Sequence, residues 1–249
     1  MAAKNAALGI VGLVLLAGSL LLLWFVILSG LTNRVPLSLV YFLRADTSGI
    51  TGARDVTQWT YFFFCGEDNL DCGVARPAPA FGKAWDSNAA NVPSSLEGSH
   101  GDNTTSTTYF YLWRFGWVFF LISLFFQVLA LFSGLLACCG RLGAAIAASL
   151  TFFALAAHTV AAALMTATFV KARDAFINDN RDASIGRYAF GFVWASWFCL
   201  FLALVIFCSG TRKTDHVSSG RRWGRFGRQR SQRSVRRSYD GHRVKDDYS

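Results

Sequence analysis

Four stretches of this chain contain no Lys, Arg, Asp or Glu: Asn5 to Asn33, Phe115 to Gly140, Leu142 to Val170 and Tyr188 to Thr211, of 29, 26, 29 and 24 residues. A helix crosses a bilayer core with about 20 apolar residues. Lipid offers no water to the backbone, so a spanning segment must satisfy its own peptide groups. The four runs therefore predict transmembrane helices over about 7–31, 115–139, 142–170 and 188–210. Of the remainder, only the loop 34–114 is long enough to fold by itself. The rest is a turn at Gly140 and Arg141, a loop 171–187 and a tail 212–249.

Charge orients this arrangement. The tail holds twelve Lys/Arg against four Asp/Glu, the first loop six against eight, and the second loop four against three. Basic residues near helix ends are retained in the cytosol. Both termini and the short turn are thus expected inside, and both longer loops outside. A rival reading takes Lys4 and the first apolar run, which ends in the small residues Ser29 and Gly30, as a cleaved signal peptide. The run is too long for an ordinary h-region, so retention is expected.

Cys65 and Cys72 lie in the first loop, where an oxidising compartment allows a disulfide closing a small ring. Cys138, Cys139 and Cys208 sit at the cytosolic edge of the membrane and Cys199 within the fourth helix. Apolar packing explains all four, while position makes Cys138 and Cys139, and less so Cys208, candidates for S-palmitoylation. Gly9, Gly12 and Gly18 in the first helix, and Gly143, Ala144, Ala147, Ala148, Thr151, Ala154 and Ala161 to Ala163 in the third, would let helices approach closely. The second helix carries bulk suited to lipid or a partner: Phe115, Phe119, Phe120, Phe125, Phe126 and Phe132. Tyr109, Tyr111, Trp113 and Trp117 read as an aromatic belt at its outer end. An ionisable group inside a span marks a functional site by default, and His158 is one. With no second intramembrane charge to relay a proton, a neutral imidazole bonded to a neighbouring hydroxyl or carbonyl is the expectation. Gln127 is expected to act as interhelical glue.

In the first loop Val35 to Leu43 is rich in β-formers, Ala45 to Gly52 reads as a turn, and Val56 to Cys65 is a second strand candidate. Two or three short strands would need a staple, which the disulfide supplies. The loop resembles the fungal SUR/PalI family of four-span plasma-membrane proteins in Tyr41-Phe42-Leu43-Arg44-Ala45-Asp46-Thr47-Ser48-Gly49-Ile50, Trp59-Thr60-Tyr61, Cys65-Gly66 and Cys72-Gly73. Gln58 stands where that pattern often has a basic residue, and Phe62-Phe63-Phe64 replaces an aromatic-glycine step. The family is in turn similar to claudins. The resemblance implies an all-α membrane protein: a four-helix bundle with a small disulfide-pinned antiparallel sheet in the first extracellular loop. It makes Trp59, Cys65, Gly66 and Cys72 signature residues with a structural and assembly role.

Residues 88–108 are polar and rich in Gly, Ser and Thr, which reads as flexible. Within them Asn103-Thr104-Thr105 is a glycosylation sequon. Glu67, Asp68 and Asp71 lack calcium-loop spacing and read as a solvated turn. In the tail, Arg221, Arg222, Arg225, Arg228 and Arg230 are interleaved with Trp223 and Phe226. Such a segment can bind single-stranded RNA, but following a membrane helix it suits anionic inner-leaflet lipid, so no nucleic acid is expected. Ser231, Ser234 and Ser238 each follow an arginine, and phosphorylation there would weaken the attachment. No catalytic, cofactor or metal motif is found, and an enzyme is not expected.

The resemblance implies an organiser of a cortical, eisosome-type membrane domain that affects endocytosis, wall integrity and sphingolipid-rich membrane. It also implies association with other cortical membrane proteins and with further copies of the chain. The alternative is a PalI-like accessory subunit of ambient-pH signalling, whose relatives carry long Pro/Ser-rich tails unlike this short basic one.

Overall fold

The computed structural model describes residues 2–32, 34–137 and 141–211. Among these, four helices are long and apolar enough to cross a membrane: α1 (Ala2–Ile27), α2 (Thr107–Ala137), α3 (Arg141–Asn178) and α4 (Arg187–Thr211). They close a ring in the order α1, α4, α3, α2, with the broadest contact between α2 and α3. At 1.5 Å per residue the 38 residues of α3 reach about 57 Å, well beyond a hydrocarbon core of about 30 Å. Its surplus is a strut that carries the extramembrane part.

That part is a cap built on a four-stranded antiparallel sheet, ordered β3-β2-β1-β4. Its strands are β1 (Leu43–Asp46), β2 (Val56–Trp59), β3 (Phe64–Cys65) and β4 (Ala183–Ile185). Leu43 pairs with both Trp59 and Ile185, so the second loop contributes a strand to a sheet expected from the first loop alone. Gly186 ends β4 where a Cβ would lie 1.6 Å from the Tyr41 carbonyl oxygen, and no other residue fits there.

Several expectations need correcting. Leu37–Leu39 forms a 3-10 turn instead of strand. The Asn69 side-chain amide donates to the Leu37 and Val40 carbonyls (3.3 and 3.1 Å), which gives those groups a partner outside any ladder. Strand β1 then runs on through Asp46, into the expected turn. The run Val56 to Cys65 splits into two strands because the Thr60 and Phe63 backbones close a tight turn between them.

Tyr109, Trp113 and Trp117 are no belt. Spaced four apart, they share one face of α2 and are buried against the cap, whereas Tyr111 is exposed. Phe120 joins them, although Phe115, Phe125 and Phe132 do face outward. Residues 88–108 are folded: Leu96 and Thr105 are fully buried, and Gly82 N–H donates to the Thr105 hydroxyl at 2.8 Å.

Small residues act as expected on α3, where Ala147, Ala154, Ala161 and Ala162 are fully buried. On α1 only Gly12 lies against a neighbour, Phe207; nothing lies within 4 Å of a Cβ at Gly9 or Gly18.

Candidate functional site

The signature residues meet in the cap. Trp59 lies at the end of β2 with no exposed surface. Its ring stacks on Phe81 (centroids 4.9 Å apart, planes 12° apart), meets Trp85 edge-on and touches Phe176 near the end of α3. The indole N–H donates to the Phe81 carbonyl at 3.1 Å, so burial leaves its polar atom satisfied. Phe81 in turn contacts Tyr109 and Trp113 of α2 and Phe169 of α3. Trp59 and Phe81 together are therefore the point where sheet, connecting loop and two helices converge.

Cys65 and Cys72 form the expected disulfide. Closing so short a loop stabilises the folded state by about 2.5 kcal/mol on the chain-entropy account. Asn69, between the cysteines, is fully buried; besides its amide contacts, its backbone N–H donates to Gln58 Oε1 at 3.0 Å. The bridge thus fastens a loop that clamps the segment leaving α1 to the sheet. At Gly66 a Cβ would stand 3.3 Å from the Leu70 carbonyl and 3.5 Å from Arg54 Cδ. Only the Leu70 carbonyl is tight there; Arg54 beside it grips both the carboxylate and the carbonyl of Asp71 (3.0 and 2.6 Å).

Tyr61 joins the cap to the bundle. Its ring stacks on Trp117 at 5.3 Å, its hydroxyl donates to the Trp117 carbonyl at 2.6 Å, and the Trp117 indole donates back to the Tyr61 carbonyl at 3.2 Å. Burial pushes the Tyr61 phenol up, so it remains a donor. The Tyr61 N–H donates to Ser29 Oγ (3.3 Å), and Gly30, at φ +80°, would place a Cβ 2.9 Å from Thr60 Oγ1. The two small residues that suggested a cleavage site thus form the seat of this contact. Arg181 bonds Asp179 and also donates to the Ser48 and Asn91 carbonyls, which ties the two loops together. Asp46 is held below the usual carboxylate range by the Ser48 side chain and N–H, and Asp102 by Lys83.

A second constellation lies inside the membrane. Ser19 Oγ of α1 is 3.0 Å from Gln127 Oε1, and Ser196 Oγ of α4 donates to the Ser19 carbonyl at 2.9 Å. Gln127 Nε2 donates to Ser123 Oγ at 3.1 Å, and Ser123 donates to the Ala154 carbonyl at 3.0 Å. His158 Nδ1 is 3.4 Å from Ser123 Oγ, and its Nε2 is 3.1 Å from the Val193 carbonyl. A carbonyl only accepts, so Nε2 carries the proton. One polar chain thus links all four helices, with His158 and Gln127 in the roles expected. Sequence reading missed Ser19, Ser123 and Ser196, because serines in an apolar run carry no periodic signal.

Asn103 is exposed at φ +60°, but the third residue of its sequon, Thr105, is buried. Cys138, Cys139, the tail arginines and Ser231, Ser234 and Ser238 lie outside the described residues. Cys208 is described and exposed.

A membrane-spanning four-helix bundle under a disulfide-closed sheet defines the class: a four-span membrane protein with a cap knitted from both loops. The family model described as SUR7/PalI matches residues 8–206, and the chain belongs to that family. It is 37% identical over 191 residues to SUR7 family protein FMP45 of Saccharomyces cerevisiae, covering 74% of this chain and 60% of that relative's length. To Protein SUR7 of the same yeast it is 31% identical over 240 residues, covering 92% of this chain and 78% of that protein. A further relative there, 32% identical over 197 residues and covered to 64%, bears the name uncharacterized plasma membrane protein YNL194C; the match covers 76% of this chain.

Proposed function

We propose that this chain is a non-catalytic organiser of a plasma-membrane domain at the cell cortex, with the cap outside and both termini in the cytosol. The carrying observation is that cap and bundle interlock through Trp59 and Tyr61, that Arg181 ties the two loops of the cap together, and that Ser19, Gln127 and Ser123 bond one another across the helices. A large apolar girdle, including Phe125, Phe132, Phe152 and Phe198, is left exposed for lipid and lateral neighbours. A rigid body of this kind can order the membrane around it without chemistry of its own. Family membership supports the reading, and one relative's name places that relative in the plasma membrane.

On this reading the tail arginines, Arg221 to Arg230, gather anionic inner-leaflet lipid, and phosphorylation of Ser231, Ser234 and Ser238 releases it. Acylation of Cys138 and Cys139 and a glycan on Asn103 are secondary parts of the proposal. Effects on endocytosis, wall integrity and sphingolipid-rich membrane would follow from the altered domain. The test is live-cell imaging of a tagged copy, expected in static cortical patches. Uniform membrane fluorescence would refute the domain role, and an alkaline-growth defect with normal patches would favour the pH-signalling alternative.

A further inference from the structure

The loops 34–114 and 171–187 hold ten basic residues, and the structure sorts them into two groups. Arg44, Arg54, Lys83, Arg173 and Arg181 each contact a carboxylate. Arg34, Arg76, Arg114, Lys171 and Arg187 have none within 4 Å among the described residues. The paired group lies in the cap and the top of its strut.

The unpaired group lies lower, and helix contacts give its level. Trp113 of α2 meets Phe169 of α3 at 5.2 Å, and Phe169 meets Phe190 of α4 at 6.4 Å. Arg114 follows Trp113, Lys171 is two residues past Phe169, and Arg187 is three before Phe190. On three helices these cations therefore lie within about one turn, roughly 5 Å, of a common plane. Arg76 differs: its backbone N–H donates to the Phe62 carbonyl, but its charge acts on Asp102 of the cap. Arg34 lies in the segment that leaves α1.

The three helix cations also face outward. Arg114 sits among exposed Tyr111, Phe115 and Val118, and Arg187 beside exposed Tyr188. Lys171 is exposed three turns from exposed Val160, on the same face of α3. The Arg114 guanidinium is 4.4 Å from the Phe110 ring centroid, which fixes it at the surface. The nearest carboxylate along α3 from Lys171, that of Asp174, is bonded by Arg173.

Unpaired cations at the junction of apolar helix and polar cap, two of them beside the exposed Tyr111 and Tyr188, match the depth of lipid phosphates. The positive-inside tendency disfavours such charges on the cap side, so an anionic counterpart there would offset the disadvantage. We infer that Arg114, Lys171 and Arg187, supported by Arg34, form a belt that retains anionic phospholipid headgroups in the leaflet next to the cap. Calling that leaflet the outer one rests on the orientation proposed above; the belt itself does not.

The test reconstitutes the full chain in nanodiscs of phosphatidylcholine and phosphatidylinositol, then counts retained lipids by mass spectrometry after detergent extraction. Both leaflets have one composition, so the result is independent of cellular orientation. With this and every belt variant made in a background that has Arg221, Arg222, Arg225, Arg228 and Arg230 changed to Gln, so that tail-held lipid is not counted, the triple variant Arg114→Gln, Lys171→Gln, Arg187→Gln should lose on the order of 100-fold in anionic-over-zwitterionic enrichment, at about five-fold per cation. Arg114→Lys with Arg187→Lys should preserve it, and a tail variant with Arg221, Arg222, Arg225, Arg228 and Arg230 changed to Gln should keep the belt's share. If the triple variant does not fold, Arg114→Gln and Arg187→Gln singly should each lower enrichment about five-fold. Unchanged enrichment in folded triple or single variants overturns the inference. So does full displacement of the lipid by soluble inositol phosphate, which would identify a free phosphate as the ligand.

Discussion

The cap and the bundle are both tightly packed, yet different forces hold them. In the cap, aromatic rings converge on Trp59 and each polar tie is specific: a disulfide, an amide clamp from Asn69, a guanidinium reaching two loops. In the bundle, small residues on α3 bring backbones together, and one thin chain of hydroxyls, an amide and an imidazole crosses the middle. Water explains the contrast. The cap gains from hiding rings from solvent, whereas lipid is as apolar as the helices and leaves packing and hydrogen bonds to set their register.

The strongest way to break this contrast is Trp59→Ala. Removing the hub ring should destabilise the cap by about 3–5 kcal/mol while leaving the helices assembled. Limited proteolysis should then cut within 34–106 although the detergent-extracted bundle still migrates intact. Loss of both regions together would show that the cap is a condition for the bundle.

Next in size is the pair Cys65→Ser with Cys72→Ser, expected to cost about 2–3 kcal/mol and to loosen Leu37 to Val40 through Asn69. Hydrogen exchange of that segment measures it, with no expected change in α2 or α3. The smallest effect sharpens the other side. Gln127→Leu should lower the thermal midpoint of the bundle by the equivalent of about 0.6–2 kcal/mol, since intramembrane hydrogen bonds contribute only that much. A larger loss would mean that the polar chain, and not small-residue packing, is the principal bond among the helices.

The same contrast governs how much could be read in the sequence. Four spans were legible because charge is excluded from lipid, and the disulfide because two cysteines sat alone in a polar loop. The helix ends were not legible where the cap continues them. Tyr109, Trp113 and Trp117 look like interfacial anchors until Phe81 and Tyr61 are placed against them. Strand β4 is three residues long and exists only because β1 lies beside it. Asn69 and Arg181 act across 29 and 133 positions of chain, a relation no local pattern encodes. Gly30 and Ser29 were visible as small residues, but their role needed the position of Tyr61.

Strand β4 also fixes an order of events during synthesis. The ribosome finishes β1, β2 and β3 more than a hundred residues before it reaches Ala183. Until then the nascent sheet has a bare edge at Leu43 to Ala45, and the Ser48 carbonyl waits for Arg181. Completion of the cap is thus a report that the third helix has been made and the chain has turned back. A quality-control factor that recognises unpaired strand edges would hold half-made copies and release finished ones.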